Sequence, residues 1–370
     1  MRNLPRTAQI YLWAVMLITA WVLVATFPQL WPALADSPRD IFLSAIGVVG
    51  LFYWTTHTIP IGYSTVVHVS GSVVFAGVLL LPISVTTWVT AVGMGAAYLY
   101  LNHVLGRRPW YNTTFNVANW TLTANVACAF WRLWGPASIT PLEMTLPSLI
   151  ATGVVYVLCN AGLVSGMHAL RRRQNWLSTW WSIVRLGAAY TGSADVMIGT
   201  LTAAVVQFAG PVGLILVVIP TAFFYYSLRV SYDLRVQTIE AVQVMADVID
   251  QRDRYTFDHS QRVSKYAELI ATKMRLPPEQ IETLRMSARV HDLGKIGIDG
   301  SMLHKPGALT SDERDRFQRH VYVGAMIIER FPRYREGREI VLYHHERYDG
   351  DGYPERLIGT DIPLGARIVA

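Results

Sequence analysis

The stretch "YHHERYDGDGYP", Tyr343–Pro354, places two adjacent histidines, several charged residues and a Gly-Tyr-Pro near the end of a mostly apolar chain. One interpretation is a solvated loop built from turn residues. The other is a metal site, because imidazole and carboxylate groups are the ligands that divalent transition metals bind. The residues upstream of this stretch favour the metal site.

Histidines recur in the upstream segments "FDHSQRVSKYAELI", "RVHDLGKIGI" and "FQRHVYVGAMII". Most of the segments carrying them are predicted to be helical, over Ser260–Met274, Gln280–Leu293, Ser311–Arg330 and Arg338–His345. Histidines that converge with a carboxylate from separate helices form a metal centre in the core of a bundle. The sequence therefore predicts a metal site whose candidate ligands are His259, His291, Asp292, His320, His344 and His345.

The first part of the chain is apolar and the last part is densely charged. Hydrophobic residues make up 52% of the 370 residues, and 12 residues are tryptophan. Before position 231 the acidic residues are Asp36, Asp40, Glu143 and Asp195, and the first lysine of the chain is Lys265. This asymmetry predicts a membrane half followed by a soluble half. The net charge of +6 does not indicate nucleic-acid binding, because much of the excess is arginine flanking apolar runs.

Apolar runs and prolines set the predicted number of membrane spans. The clear runs are Gln9–Phe27, Ile41–Thr56, Thr113–Trp134 and Leu146–Met167. Two longer stretches, 63–101 and 194–228, are interrupted at Leu81-Pro82 and at Gly210-Pro211. Because proline ends helices and about 20 residues already cross a bilayer, each longer stretch is predicted to form two helices. The predicted fold is all-α, beginning with a transmembrane helix bundle of about eight spans.

Arginine positions favour eight spans over six. With the N-terminus in the cytoplasm, eight spans place most arginines of the membrane half on the cytoplasmic side: Arg2, Arg6, Arg107, Arg108, Arg171–Arg173, Arg185 and Arg229. Arg39 and Arg132 fall outside or near the outer side. A six-span chain would export the clusters at 107–108 and 171–173, against the known preference of arginine for cytoplasmic loops.

Polar side chains in the membrane half have two interpretations. Asn112, Asn116 and Asn119 recur at i, i+4 and i+7 and therefore share one helical face. Such residues bond neighbouring helices to one another. Alternatively they line a sensory pocket, to which the ionisable residues His57, His68 and Asp195 would also contribute.

The stretch from His259 to Ala370 resembles the HD-GYP family, a branch of the HD-domain metal phosphohydrolases that hydrolyse the bacterial second messenger cyclic di-GMP. The resemblance rests on the ordered set "HDLGKIGI", "KPGALT", "HHERYDGDGYP" and "GTDIPLGARIVA". A His-Asp pair alone is a weak signal, whereas the ordered set with Gly352-Tyr353-Pro354 is specific. The membrane half has no share in this resemblance.

The resemblance implies roles for individual residues. The six candidate ligands would bind two divalent metal ions, with Fe or Mn favoured over Zn, and Asp292 would bridge the two ions. Lys295 would act beside Asp292 in catalysis and would bind the substrate phosphate, and Arg367 is a second phosphate-binding candidate. Tyr353 would contact substrate or a partner protein, or else it is the packed residue of a tight turn.

Two positions depart from the family pattern. Some members bind a third metal through a glutamate four residues before the first histidine, and here that position is Tyr255. The neighbouring Asp258 has the wrong spacing to replace it, so a two-metal site is expected. The family also continues beyond the "ARIVA" segment into an Ala-Asp whose aspartate is a ligand, so the domain is expected to be C-terminally incomplete at Ala370.

The expected organisation has three parts: a transmembrane region and possible sensor over 1–230, a connecting signalling helix over 231–256, and an HD-GYP domain over 257–370. The connecting helix is predicted because "SYDLRVQTIEAVQVMADVIDQRDRY" keeps helical spacing without Gly or Pro. This helix would transmit a shift of the transmembrane bundle to the soluble domain, or pair two subunits, or only pack on its own domain.

The expected protein is a multi-pass bacterial inner-membrane phosphodiesterase with a cytoplasmic C-terminal domain. It would hydrolyse cyclic di-GMP to the linear dinucleotide or GMP under control of the membrane region. Expected partners are the lipid bilayer, a second copy through the connecting helix and a diguanylate-cyclase domain at the GYP loop, and no nucleic acid polymer. The alternatives are a catalytically impaired cyclic-dinucleotide receptor and a hydrolase of another cyclic dinucleotide.

Overall fold

The computed structural model describes residues 4–60, 66–67, 69–105, 109–136, 142–172, 174–184, 189–252 and 259–370. Contacts between residues divide the chain into two units, Met1–Tyr232 and Asp233–Ala370. The three-part division by role, with its boundaries at 230 and 256, stays a prediction.

The first unit is helical, as predicted for the whole chain. Its helices are α1 (Arg6–Ala35), α2 (Pro38–Thr56), α3 (Ser70–Leu80), α4 (Ile83–Leu105), α5 (Trp110–Trp134), α6 (Leu142–Arg172), α7 (Trp176–Ile183) and α8 (Ala189–Ala209). A ninth helix, α9 (Leu214–Arg252), begins in this unit and ends in the second. Two short antiparallel strands, Ile59–Pro60 and Val66–Val67, are the β structure of the described residues.

The helix breaks of the first unit lie where proline and glycine predict them. Helix α3 ends at Leu80 and α4 begins at Ile83, on either side of the Leu81-Pro82 step. Helix α8 ends at Ala209, and Gly210 has a φ of +68° that ordinary side chains rarely adopt. Both long apolar stretches are therefore interrupted as the sequence indicates.

Apolar side chains on the outside of the first unit are typical of a membrane protein. Helix α1 buries a stripe that includes Leu12 and Val15, and on its other face Leu17, Trp21 and Val24 are 66%, 70% and 73% exposed. An apolar helix with an exposed apolar face is stable in lipid, where its backbone bonds are all internal.

Within the described residues, four helices are long and apolar enough to cross a membrane: Arg6–Ala35, Thr145–Arg171, Thr191–Ala209 and Pro211–Arg252. Eight spans are thus not shown. Helix α3, with 11 residues, is only about 16 Å long at 1.5 Å per residue. Five arginines used in the topology prediction lie outside the described residues: Arg2, Arg107, Arg108, Arg173 and Arg185. His68 of the predicted sensory pocket also lies outside them.

Asn119 of the predicted asparagine face joins two helices of the first unit. Its Nδ2 donates a hydrogen bond of 2.6 Å to Oδ1 of Asn160 on α6. Asn125, on the same helix, donates to the hydroxyl of Thr87 on α4. The structure therefore shows Asn119 and Asn125 forming hydrogen bonds between helices.

The second unit is a bundle of short helices. They are α10 (His259–Lys273), α11 (Pro278–Arg289), α12 (Gly300–Leu303), α13 (Ser311–Gln318), α14 (His320–Glu329), α15 (Arg338–Tyr343) and α16 (Leu364–Val369). Three 3₁₀ turns connect them, at Leu293–Gly297, Arg335–Gly337 and Gly359–Asp361. The single helix predicted over Ser311–Arg330 is wrong, because Arg319 separates α13 from α14.

The end of α9 is part of the core of the second unit. Its buried residues Val242, Ala246 and Ile249 follow a spacing of three to four residues, so they share one face of the helix. They pack in one cluster with Met286 of α11 and with Val290, just beyond it. This packing brings α9 against the segment that carries the His-Asp pair.

Close backbone contact holds the turn Leu293–Gly297 against α14. A Cβ at Gly294 would lie 1.9 Å from the carbonyl oxygen of His320 and 2.5 Å from the amide nitrogen of Gly324. Both obstacles are backbone atoms, so no side-chain rotation relieves the clash. Glycine is therefore required here for the turn and the helix to touch.

Gly294→Ala should destabilise the protein by about 1 to 3 kcal/mol, the usual cost of forcing extra atoms into a packed interior. The matched control is Gly297→Ala, whose Cβ would meet only Val323 Cγ1 at 3.9 Å. The measurement is the thermal unfolding midpoint of the purified full chain in detergent. Equal midpoints for the two variants would contradict the packing argument.

Candidate metal centre

Asp292 is the centre of the candidate site. It follows the end of α11 and precedes the turn Leu293–Gly297, and its side chain is buried. Its Oδ2 lies 2.9 Å from Nζ of Lys295 and 3.3 Å from Nε2 of His291. Its Oδ1 lies 3.6 Å from Nε2 of His320 and 3.8 Å from Nε2 of His344. One carboxylate thus faces four basic groups.

The predicted ligands form two groups that share this aspartate. One group is His259, His291 and Asp292; the other is Asp292, His320, His344 and His345. In each group the ligand atoms lie within 4.8 Å of one another. The structure therefore brings all six predicted residues together, although they come from segments up to 86 positions apart in the chain (259 to 345).

Three of the histidines are oriented by backbone carbonyls near helix ends. The Nδ1 atom of His291 lies 2.9 Å from the carbonyl oxygen of Ala288. The Nδ1 atom of His320 lies 2.8 Å from the carbonyl oxygen of Phe317. The Nδ1 atom of His344 lies 2.7 Å from the carbonyl oxygen of Val341. A carbonyl only accepts, so each Nδ1 donates and each Nε2 keeps its lone pair. Those Nε2 atoms face Asp292, which is the arrangement of metal-binding histidines.

Buried atoms without a hydrogen-bond partner test whether a metal ion fits this site. Within the described part of the chain, Asp292 Oδ1, His320 Nε2 and His344 Nε2 are buried and have no such partner. Buried polar atoms nearly always have a hydrogen-bond partner or a bound ion, so these three atoms require a further bonding partner between them. A divalent cation accepts a carboxylate oxygen and imidazole nitrogens together. The residues therefore fit a metal ion.

Charges within the site keep the ligands in their metal-binding forms. Burial opposes ionisation of Asp292, but His291 and Lys295 outweigh it and lower its pKa well below the ordinary value. Burial lowers the pKa of His345 to about 4, with His320 contributing, and burial also lowers the pKa of His344 well below its ordinary value. At neutral pH the site thus offers an anionic carboxylate at Asp292 and neutral imidazoles at His344 and His345. At His291 burial opposes protonation, but the neighbouring Asp292 carboxylate outweighs it and raises the pKa.

The other predicted site residues are placed differently. The ring of Tyr353 stacks on that of His345, with centroids 4.8 Å apart, so Tyr353 lies against the ligand cluster. Arg367 is half-buried on α16, and no hydrogen bond or ion pair joins it to the cluster among the described residues. Tyr255 and Asp258, from which the absence of a third metal was predicted, lie outside the described residues.

Glu346 is a residue that the sequence prediction missed. It directly follows the histidine pair and is 3% exposed. Its carboxylate accepts hydrogen bonds from the backbone amides of Glu355 (2.7 Å) and Leu357 (3.0 Å). Glu346 therefore closes the loop that carries Tyr353. Its position next to His345 was the available signal, but burial of a glutamate depends on contacts distant in sequence.

A helical bundle with a shared His-Asp cluster that could hold metal ions is the arrangement expected of an HD-type domain. In agreement, the sequence model of the family described as "HD domain" matches residues 243–370. Residues 243–370 are therefore similar in sequence to the HD-domain family.

Named relatives confirm the predicted resemblance to the HD-GYP family over this part. The chain is 43% identical over 135 residues to the cyclic di-GMP phosphodiesterase response regulator RpfG of Xanthomonas campestris, 35% of each chain. It is 38% identical over 148 residues to 3'3'-cGAMP-specific phosphodiesterase 2 of Vibrio cholerae, 40% of this chain and 28% of the relative. It is 37% identical over 133 residues to a cyclic di-GMP phosphodiesterase of Thermotoga maritima, 35% of this chain and 36% of the relative. The chain thus spans about a third of the relatives' length.

His344→Ala should weaken Mn²⁺ binding by more than about 100-fold, beyond the roughly 10- to 100-fold loss that removing an outer-shell partner causes. The matched control is His304→Ala, which removes an exposed histidine at the end of α12. The measurement is the metal content of the full chain, loaded with Mn²⁺, desalted and analysed by mass spectrometry. Unchanged metal content in His344→Ala would refute the ligand assignment.

Proposed function

We propose that this protein is a membrane-bound, metal-dependent phosphodiesterase that hydrolyses cyclic di-GMP to the linear dinucleotide or GMP. The observation that carries the proposal is the pair of ligand groups sharing Asp292. Two overlapping groups on one buried carboxylate support a site for two divalent ions, and the mixture of imidazole and carboxylate favours Fe or Mn. His259 and His291 would serve one ion, and His320, His344 and His345 the other.

Ions bound there would polarise the phosphodiester and lower the pKa of a bound water. The residues of the chain provide the rest. Asp292 would hold the two ligand groups together, because both groups include it. Lys295, whose Nζ is 2.9 Å from Asp292, would offset negative charge on the phosphate oxygens during attack. Tyr353, stacked on His345, would contact the substrate beside the metal ligands. Arg367 would be a second residue that binds the substrate phosphate.

Two other functions remain in competition with this one. The relatives include enzymes named for cyclic di-GMP and for 3'3'-cGAMP at similar identity, so hydrolysis of another cyclic dinucleotide is a real alternative. A receptor that binds the nucleotide without hydrolysing it is the second alternative. Groups around the substrate bases would decide which dinucleotide is bound, whereas the metal centre would decide whether it is hydrolysed.

The membrane half would hold the protein in the bacterial inner membrane with the C-terminal domain in the cytoplasm. The exposed apolar faces and the four long apolar helices support membrane insertion. The eight-span topology is proposed from the arginine distribution. Helix α9 would connect a sensory region to the phosphodiesterase and would pair two subunits, and the GYP loop would contact a diguanylate-cyclase domain.

The hydrolysis prediction is tested with the full chain in detergent and Mn²⁺. Cyclic di-GMP and 3'3'-cGAMP are supplied separately, and the products are separated by chromatography. We expect turnover of cyclic di-GMP and, in Asp292→Ala, a loss of turnover of at least about 100-fold, because the shared ligand is gone. The exposed control variant His304→Ala should retain full activity.

Turnover confined to 3'3'-cGAMP would identify the other cyclic dinucleotide as the substrate. Nucleotide binding without turnover, in protein shown to hold metal, would support the receptor. Neither binding nor turnover of either nucleotide would overturn the proposed class of function.

The topology prediction is tested by reporter fusions after Arg108, Pro136, Arg173 and Ser231. Each site receives alkaline phosphatase, which is active only outside the cytoplasm, and green fluorescent protein, which fluoresces only inside. We expect phosphatase activity after Pro136 and fluorescence at the other three sites. Phosphatase activity after Arg173 would exclude eight spans.

A further inference from the structure

Asp250 is a buried carboxylate at the end of α9, and the chemistry proposed above does not use it. It is 3% exposed, and its partner Ser260, the second residue of α10, is 1% exposed. The backbone amide of Ser260 donates to Oδ2 at 3.0 Å, and the Ser260 hydroxyl donates to Oδ1 at 2.9 Å. Both carboxylate oxygens are thus engaged by one residue of the next helix.

The residue before Ser260 is the candidate ligand His259, the first residue of α10. Amides in the first turn of a helix have no partner within the helix, so an acceptor there holds the start of the helix in place. Residues 253–258 lie outside the described part of the chain. Within the described part, this pair of hydrogen bonds joins the end of α9 to the start of α10, one residue from His259.

The part of α9 before Asp250 is packed in the core of the second unit. Val242, Ala246 and Ile249 of α9 are buried in a core cluster with Leu293, which directly follows Asp292. The ring centroids of His259 and His291 lie 5.3 Å apart. Helix α9 is therefore packed against the segment of the His-Asp pair while its last turn bonds the start of the helix that begins with His259.

We infer that Asp250 is the positioning residue that places His259 at the metal centre, so that the end of α9 sets the geometry of one ligand group. The plainer alternative is that Asp250 only caps α10 and contributes to stability. The two differ in one respect: a positioning residue acts on metal affinity through His259, whereas a cap lowers stability whether or not His259 is present. The inference rests on the proposed function only in requiring a bound metal ion.

The test measures the dissociation constant for Mn²⁺ of the full chain in detergent, by electron paramagnetic resonance of free Mn²⁺. Asp250→Ala should weaken binding about 10- to 100-fold, the range found for residues that orient metal ligands. Asp250→Asn should stay within about threefold of the wild type, because its amide accepts from the Ser260 amide and donates to the hydroxyl. Glu240→Gln, an exposed substitution on the same helix, should have no effect.

A double-mutant cycle with His259→Ala separates positioning from capping. If Asp250 acts through His259, Asp250→Ala has no further effect on Mn²⁺ affinity once His259 is removed. An equal loss in both backgrounds, or wild-type affinity in Asp250→Ala, would overturn the inference.

Should Asp250→Ala fail to fold, Ser260→Ala decides instead. It removes the hydroxyl bond and keeps the amide bond, so a smaller loss of affinity is expected, present with His259 and absent without it. Its matched control is Ser264→Ala, one turn along α10, where the hydroxyl donates to the carbonyl of Arg285 at 2.7 Å. No loss in Ser260→Ala, or the same loss in both serine variants, would contradict the inference. A wild-type chain without Mn²⁺ binding would instead refute the proposed function, and the inference with it.

Discussion

A buried carboxylate without its own counter-charge would be too costly to keep, and Asp292 is buried in the second unit. The cost is offset because Lys295 lies 2.9 Å away and His291 lies 3.3 Å away. Its remaining oxygen faces two further imidazoles and has no hydrogen-bond partner in the described part of the chain. The segments that meet around Asp292 therefore provide the basic groups that make burial of its charge tolerable.

The helix ends provide the geometry that this charge requires. The last carbonyls of a helix lack partners within it, and three of the histidines donate Nδ1 to carbonyls at or near helix ends. Each of these bonds engages a carbonyl near a helix end and turns Nε2 toward Asp292. Short helices suit this arrangement, because each additional helix end supplies another carbonyl and another ligand position. The break at Arg319, which the sequence did not predict, places His320 at such a junction.

At two glycines, the missing side chain lets backbone segments near the site lie in close contact. Gly294 lets the turn after Asp292 touch α14, and Gly352 has Arg347 N within 2.3 Å of where a Cβ would stand. Around Gly352 the buried Glu346 accepts two amides of the same loop. Tyr353 is consequently held flat against His345 rather than free in solvent.

Properties that depend on local chemistry were readable from the sequence. Apolar runs and their interruption at Leu81-Pro82 and Gly210-Pro211 predicted the helix breaks, since proline and glycine act on their immediate neighbours. Residue type predicted the candidate ligands, because few side chains bind divalent transition metals, and the structure brings these candidates together. Their role as ligands stays a prediction. The order of the motifs predicted the family of the C-terminal part. Each of these signals lies within a few residues of the feature that it predicts.

Properties that depend on distant contacts were decided only by the tertiary structure. That Asp292 belongs to both ligand groups follows from packing of four segments, and no spacing in the chain encodes it. Asp250 and Glu346 look like ordinary surface acids in the sequence, yet both are 3% exposed and accept backbone amides. Burial of a charge is set by what surrounds it in space. The sequence determined which groups can bind a metal, and the fold decided which of them meet.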